Sequence, residues 1–283
     1  MIREFKIRDK DNLIEILKKG FVLEDNDVKD FLKDQDRKLM VYDEGGIWGF
    51  AYLKNTNEET KEYCILIYVD PHWRRKGIGT ALYNNLYADL QKLKPNLLTT
   101  YFRVGTEDFK DFYRKLGYKK WWGCHESYYK GTFQPEVNLN FMNYKDEYFH
   151  EYTKLIQDGF YELRRENDIK PYRCDFDDRY REYLLDNKDY IYVLFKNNEM
   201  IATAVVKNGY LDNIVVTPPF QGKGLGKKIT QFAINKAIKQ APEGSIHLTV
   251  LTWNKKAIKL YEELGFEIVH TVHFYRQLCD KEF

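Results

Sequence analysis

Two hexapeptides in this 283-residue chain have the composition of an anion cradle: Arg74-Arg75-Lys76-Gly77-Ile78-Gly79 and Gln221-Gly222-Lys223-Gly224-Leu225-Gly226. Each follows a short apolar run and opens an amphipathic one, so each reads as a strand turning through glycines into a helix. The first amides of such a helix have no intrahelical partner, its dipole adds a favourable field, and glycine lets a phosphate approach the main chain. The dipole contributes about 0.3–1 kcal/mol at an exposed site and up to ~2 kcal/mol when partly buried. That helps to hold a ligand but cannot catalyse a reaction. Two common phosphate loops are excluded. A P-loop needs GxxxxGK followed by Ser or Thr, whereas GKGLGKK has Lys228 there and too few spacing residues. A dinucleotide fingerprint needs a third glycine where this chain has Leu82 and Ile229.

The elements that must position these loops occur twice. Arg74 and Gln221 lie 147 residues apart, and the later segments FYRKLGYKK and LYEELGFEI begin at Phe112 and Leu260, 148 apart. Two landmarks with matching offsets identify a tandem duplication. In the first half the pattern predicts strands over 5–8, 38–42 and 47–53, the last two joined through Glu44-Gly45-Gly46. A buried strand over 63–69, a helix over 78–93, a strand over 97–102 and a helix over 107–116 follow, with closing strands over 118–122 and 126–130. In the second half it predicts strands over 137–142, 190–195, 200–206, 211–216 and 246–251, with helices over 226–239 and 255–264. The expected class is α+β (mixed α/β): two tandem domains, 1–133 and 134–283, each a predominantly antiparallel sheet flanked by helices. The border falls in the Gly- and Pro-containing GTFQPE.

With these motifs in their settings, the chain resembles the GNAT N-acetyltransferase superfamily, whose acyl-CoA loop runs Q/R-x-x-G-x-G/A after a strand. YVDPHW and VVTPPF before the loops, and the LGY and LGF after the later helices, are similar too. The resemblance covers both halves. It implies two tandem GNAT-like domains and acetyl-CoA as acyl donor, with no metal. It further implies that loop amides hold the pyrophosphate: Arg75, Lys76, Gly77 and Gly79, and Gly222, Lys223, Gly224 and Gly226. Arg74 and Gln221, the strand ends Val69 and Val216, and the helix-start residues Thr80 and Lys227 complete the cofactor set.

The implied reaction moves an acetyl group directly from the thioester to a primary amine. In this family a Tyr on the later helix often protonates the departing sulfur, and Tyr113 and Tyr261 occupy that slot, each three residues before a Leu-Gly. A phenol with a pKa near ~10 is protonated at neutral pH and suits the task. Asn254 matches an Asn that contacts the pantetheine in relatives, whereas the first half has Thr106. Asp212 stands where relatives place a base or water anchor, and its counterpart is Ile65. The second half is therefore expected to be catalytic, the alternative being a catalytic first half with a degenerate second. Asp175, Asp177 and Asp178 could attract a cationic amine, or form a solvated acidic turn.

Composition narrows the partners. With 24 Lys+Arg against 21 Asp+Glu up to residue 135, and 21 against 22 beyond, neither half has the basic excess of a nucleic-acid binder. The apolar runs are strand-length, too short to span a membrane. MIREFKIRDK has no signal-like apolar run, and Cys64, Cys124, Cys174 and Cys279 form no CxxC pair, so a cytoplasmic protein with reduced thiols is expected. A small-molecule or peptide amine is the expected partner, with the chain a monomer or homodimer. Two other functions compete: a non-catalytic CoA or acyl-CoA sensor, and an aminoacyl-tRNA-dependent transferase, whose members generally lack an intact CoA loop.

Overall fold

The computed structural model describes residues 1–21, 37–104, 109–242 and 244–279. They divide into two compact units, one of residues 1–123 with 272–283, the other of residues 124–271.

In the first unit, β1 (Ile2–Glu4), β2 (Arg37–Asp43), β3 (Ile47–Asn57) and β4 (Glu62–Val69) pair antiparallel in that order. Next, β5 (Leu97–Arg103) runs parallel to β4. The sheet closes on residues 272–278 of the last strand, β12 (Phe266–Leu278), antiparallel to β5 from Val272↔Arg103 to Leu278↔Leu97. Helices α1 (Lys10–Phe21), α2 (Ile78–Leu93) and α3 (Phe109–Lys115) cover it. Helix α2 buries Ile78, Leu82, Leu86 and Leu90, one residue per turn, and ends at left-handed Lys94 before Pro95. The run Tyr63–Val69 is buried throughout, as befits a strand covered on both faces.

The strand expected over 5–8 lies instead at β1, and residues 7–9 form a 3-10 turn. Electrostatics explains the difference. The Arg3 guanidinium bonds both oxygens of buried Asp9, at 2.7 and 2.9 Å, while Asp9 also accepts from the Lys6 amide at 2.8 Å. That carboxylate folds the chain back before a strand can continue.

In the second unit, β7 (Phe141–Asn143), β8 (Ile191–Lys196), β9 (Glu199–Lys207) and β10 (Tyr210–Val216) are antiparallel neighbours. Parallel to β10 comes β11 (His247–Leu251), followed by residues 124–129 of β6 (Lys119–Tyr129), antiparallel to it. Helix α6 (Leu225–Gln240) and helix α7 (Lys255–Leu264) pack with one core cluster. Helix α4 (Phe149–Glu166) and helix α5 (Asp178–Asp186) pack with another. The acidic run before α5 is a helix start: Asp177 caps it, accepting from the Tyr180 amide at 3.0 Å.

Two expectations are corrected here. The strands expected over 118–122 and 126–130 are one, β6, running unbroken through Gly123. The units, moreover, do not part at 133/134. Gln134 is fastened to α6 on both sides of its main chain, its amide to Asn235 Oδ1 (2.8 Å) and its carbonyl to Asn235 Nδ2 (2.9 Å), so GTFQPE belongs to the second unit's body. Each unit takes one strand from the other half of the sequence: 272–278 completes the first, 124–129 the second.

Candidate functional site

The two glycine loops share one backbone shape. Arg75 and Gly77 have φ of 62° and 81°, and Gly222 and Gly224 have 72° and 77°. Gly77 and Gly224 sit at the N-caps of α2 and α6, with no side-chain cap on the first amides of either helix. A Cβ added at Gly77, Gly222 or Gly224 would meet nothing within 4 Å, so the left-handed backbone, not crowding, demands glycine there. Arg75 occupies that region with a side chain, at a cost of roughly 1–2 kcal/mol. Arg75→Gly is therefore expected to stabilise the first unit by about 1 kcal/mol in urea unfolding, and Gly222→Arg to destabilise the second by a similar amount.

The residue opening each loop acts as a latch. Arg74 Nε donates to the Val69 carbonyl at 2.9 Å, and Gln221 Nε2 donates to the Val216 carbonyl at 2.8 Å. Both tie the loop to the end of the preceding strand, a job that a Q/R pattern permits and sequence alone does not reveal. The lysines two places on are also engaged alike. Lys76 lies 4.4 Å from the centre of the Trp73 ring, and Lys223 lies 5.7 Å from that of Phe220 while donating to the Pro219 carbonyl at 2.8 Å.

Around the first loop lies a cavity of about 300 Å³, walled by Ile67 and Val69 of β4, by Arg74, Arg75, Gly77, Gly79 and Thr80, and by Phe109 and Phe112 of α3. A Cβ at Gly79 would come within 3.3 Å of Phe112, so this glycine keeps the helix start close to α3. At the second loop, Gly226 has only an ordinary contact to Leu260, and Lys227 is exposed at the helix start. Asn254 caps α7, accepting from the Ala257 amide at 3.2 Å. Thr106 lies outside the described residues.

The equivalent tyrosines differ sharply. Tyr113, 1% exposed, stacks in parallel on Phe102 at 6.0 Å and meets Tyr118 edge-on. Its hydroxyl accepts a 2.9 Å hydrogen bond from the Ile67 amide, and burial raises its pKa. That amide lies past the last β4–β5 pair, Cys64↔Thr99, so the phenol serves a backbone group that has left the parallel ladder. Tyr261 is half-buried, packs edge-on to Phe266, and among the described residues its hydroxyl has no hydrogen-bond partner. Burial, with Asp212 and Tyr210 adding to it, pushes its pKa up to about 12, so it is protonated at neutral pH.

Asp212 stands at an irregularity of β10, whereas the equivalent run Tyr63–Val69 of β4 pairs regularly with β3. Pairing of β10 with β9 shifts register between Asp212 and Val215, and Asn213 takes φ 45°. Helix α4 fits against this bulge because residue 159 is glycine: a Cβ there would fall 2.3 Å from Val215 Cγ1. Asp212 is exposed at the surface, yet enough protein surrounds its carboxylate to raise its pKa, with the Asn213 amide opposing at 2.8 Å. A raised carboxylate disfavours its charged form in the folded state. Asp212→Asn should therefore stabilise the protein at neutral pH, and the gain should vanish as pH falls below the ordinary carboxylate value, where folded and unfolded states are both protonated. Urea unfolding from pH 3 to 8 checks this. Sequence reasoning named Tyr261 but not Tyr152, Tyr180 and Tyr210, on which the charge of Asp212 also acts.

Among the described residues, no group of three or more His, Cys, Asp or Glu is placed to hold a metal ion, and no helix is long and apolar enough to cross a membrane. The four cysteines, all among the described residues, form no disulfide, and burial raises Cys64 to about 12 and Cys124 to about 11.

Comparison with known proteins matches these features. The model for the acetyltransferase (GNAT) family matches residues 157–266, and that for the acetyltransferase (GNAT) domain matches 35–120. Thialysine N-epsilon-acetyltransferases of Mus musculus and Sus scrofa are 43% and 41% identical over 63 residues, 21% of this chain and 34% of theirs. The matched stretch thus spans about a third of these curated relatives. A GCN5-related N-acetyltransferase from Sphaerobacter thermophilus superposes with a TM-score of 0.74 at 16% identity, covering 98% of this chain and 95% of that one. A tandem GNAT protein from the clavulanic acid biosynthesis pathway gives 0.56 at 16% identity, over 86% and 83%. These structural likenesses concern the fold. The loops suit the acyl-CoA such folds bind, since open space faces the cradle glycines and the helix-start amides carry no side-chain cap. With a GNAT model on each half and one backbone shape beneath both loops, the chain belongs to the GNAT acetyltransferase superfamily and carries two of its domains in tandem.

Proposed function

We propose that the chain is an acetyl-CoA-dependent N-acetyltransferase acting on a primary amine, with the second unit catalytic. The observation that carries this reading is the contrast between the tyrosines: Tyr113 is sealed in the core with its oxygen accepting from the Ile67 amide, whereas Tyr261 is half-buried, has no hydrogen-bond partner for its hydroxyl among the described residues and feels the charge of Asp212. Acetyl-CoA, when bound, supplies the acetyl group as a thioester. The amides that open α6 and the loop 221–226 hold its diphosphate. Asp212 receives the proton the amine loses as its nitrogen bonds to the acetyl carbon, and its raised proton affinity makes it a better base than an ordinary carboxylate. Tyr261 Oη holds the proton that the sulfur takes as the carbon–sulfur bond breaks. Positioning of the reactants supplies the larger share, about 7–11 kcal/mol where alignment is good.

The test is release of free thiol from acetyl-CoA across an amine panel, with the acetylated amine identified by mass. Tight CoA binding with no turnover on any amine would favour a sensor. The cavity at the first loop favours a second reading, in which the first unit also holds CoA. On our reading it does so without turnover, because its tyrosine is sealed in the core and does not line that cavity. A cytoplasmic setting suits these substrates.

A further inference from the structure

The walls of the cavity at the first loop show which part of CoA it can read, an inference that rests on the reading in which the first unit also holds that cofactor. Its lining carries Arg74, Arg75 and Lys115 against one acid, Asp111, so it favours an anion. Trp73 is a further wall, and its ring is backed. Trp48 stacks on it with centroids 5.1 Å apart and planes 17° from parallel, and Tyr42 leans on it at 6.5 Å. Trp48 is itself fastened, its indole donating to the Glu44 carbonyl at 3.0 Å. Two groups cannot share one face, so the Lys76 ammonium, 4.4 Å from the Trp73 ring centre, covers the other.

Lys76 is a replaceable cover. It is exposed, and a cation over a ring at such a site favours the contact only about 2–5-fold. A nucleobase stacked on an aromatic ring gains about 5–150-fold. A planar base therefore displaces the ammonium, whose side chain springs from the cradle and so stays within reach of a phosphate there. The second unit lacks this pile. The Asp70 amide donates to the Trp48 carbonyl and the Thr217 amide to that of Ile201, so buried Ile201 is the counterpart of Trp48, and Phe220 that of Trp73.

Along β4 the cavity reaches Ile67 and Val69 and no further. Ile65 and Leu66 are buried, and the Ile67 amide is engaged by Tyr113 Oη at 2.9 Å. An arm bearing amides and a thioester could pair with that amide only by breaking a hydrogen bond of the core. In the second unit the equivalent residue, Ile214, falls within the register shift of β10.

We propose that the first unit binds CoA by its adenosine diphosphate end, with the base on Trp73 and the diphosphate on the loop, and does not distinguish CoA from acetyl-CoA. It answers to the whole CoA pool, not to the acetylated fraction.

The experiment uses the full chain carrying Gly224→Val, in which the second cradle is impaired. CoA, acetyl-CoA, ADP and inorganic pyrophosphate are titrated into it calorimetrically. CoA and acetyl-CoA are expected to bind within about twofold of each other, and ADP about 5–150-fold more tightly than pyrophosphate. Adding Trp73→Leu should bring ADP down to the affinity of pyrophosphate, with thermal unfolding verifying that the variant is folded. Should it not fold, etheno-ADP decides: its emission should be quenched by the indole in Gly224→Val and not in Gly77→Val. Acetyl-CoA binding tenfold or more tightly than CoA, pyrophosphate matching ADP, ADP keeping its advantage in Trp73→Leu, or no such quench overturns the proposal. If neither CoA nor ADP binds Gly224→Val while the unaltered chain still releases thiol from acetyl-CoA, the first-unit site fails and the transferase reading stands. If both bind as expected and the unaltered chain turns over no amine, the transferase reading fails instead.

Discussion

Tyr261→Phe is expected to leave CoA affinity nearly unchanged and to lower kcat by about 10²–10⁴-fold, the usual range for loss of a positioned general acid. The substitution removes one oxygen and no packing atom, so the ring keeps its place against Phe266. Because that hydroxyl has no partner among the described residues, its loss strands no other group. The same change at Tyr113 should do the opposite. Its oxygen accepts from the Ile67 amide in the core, so Tyr113→Phe leaves a buried N–H unsatisfied and should cost about 1–3 kcal/mol of stability. Turnover of the fraction that remains folded should be little altered. Steady-state kinetics beside urea unfolding separates the two effects, and a turnover loss larger at Tyr113 than at Tyr261 would reverse the assignment of the units.

The second large effect is expected at the cradle glycines. Gly224→Val should weaken CoA binding at the second unit by on the order of 10²-fold or more and abolish turnover at ordinary CoA concentrations, since charge-assisted hydrogen bonds to loop amides contribute about 1.5–3 kcal/mol each. Gly77→Val should do the same to binding at the first unit while leaving turnover largely intact. Both positions have positive φ, which a β-branched residue tolerates poorly, and a Cβ at either meets no protein atom within 4 Å. The damage therefore falls on backbone shape and on the space a phosphate needs, not on the core. Calorimetric stoichiometry of the two variants reads each site separately. Retained turnover in Gly224→Val would exclude the second unit as catalyst.

Much of this was legible in the sequence because the relevant signals are local. Helices α2 and α7 were expected at 78–93 and 255–264, their observed limits, since apolar spacing and the stops at Lys94-Pro95 and Gly265 are properties of short segments. The loops were legible for the same reason. The strand expected at 5–8 failed because Arg3 gathers Asp9 and the distant Asp43 about its guanidinium, which overrides the local alternation. Equally hidden was the separation of Tyr113 from Tyr261: both precede a Leu-Gly, and only the register shift in β10 and the regular pairing of Tyr63–Val69 in β4 distinguish their surroundings. That the charge of Asp212 acts on Tyr152 of α4, Tyr180 of α5 and Tyr261 of α7 is a product of tertiary packing, which no spacing rule encodes.

The exchange of strands between the sequence halves also dictates when this protein can mature. At about 5–20 residues per second, the ribosome delivers residues 272–278 on the order of ten to thirty seconds after β5 has emerged. Through that interval the far edge of β5 lacks its antiparallel neighbour, an open template for wrong pairing on a nascent chain. The start of the protein thus waits for its end, and a premature stop near residue 270 would strike first at the unit made earliest. Either half made alone would have to pair with its own copy of the exchanged strand, since β6 and β12 stand at equivalent places in the duplication.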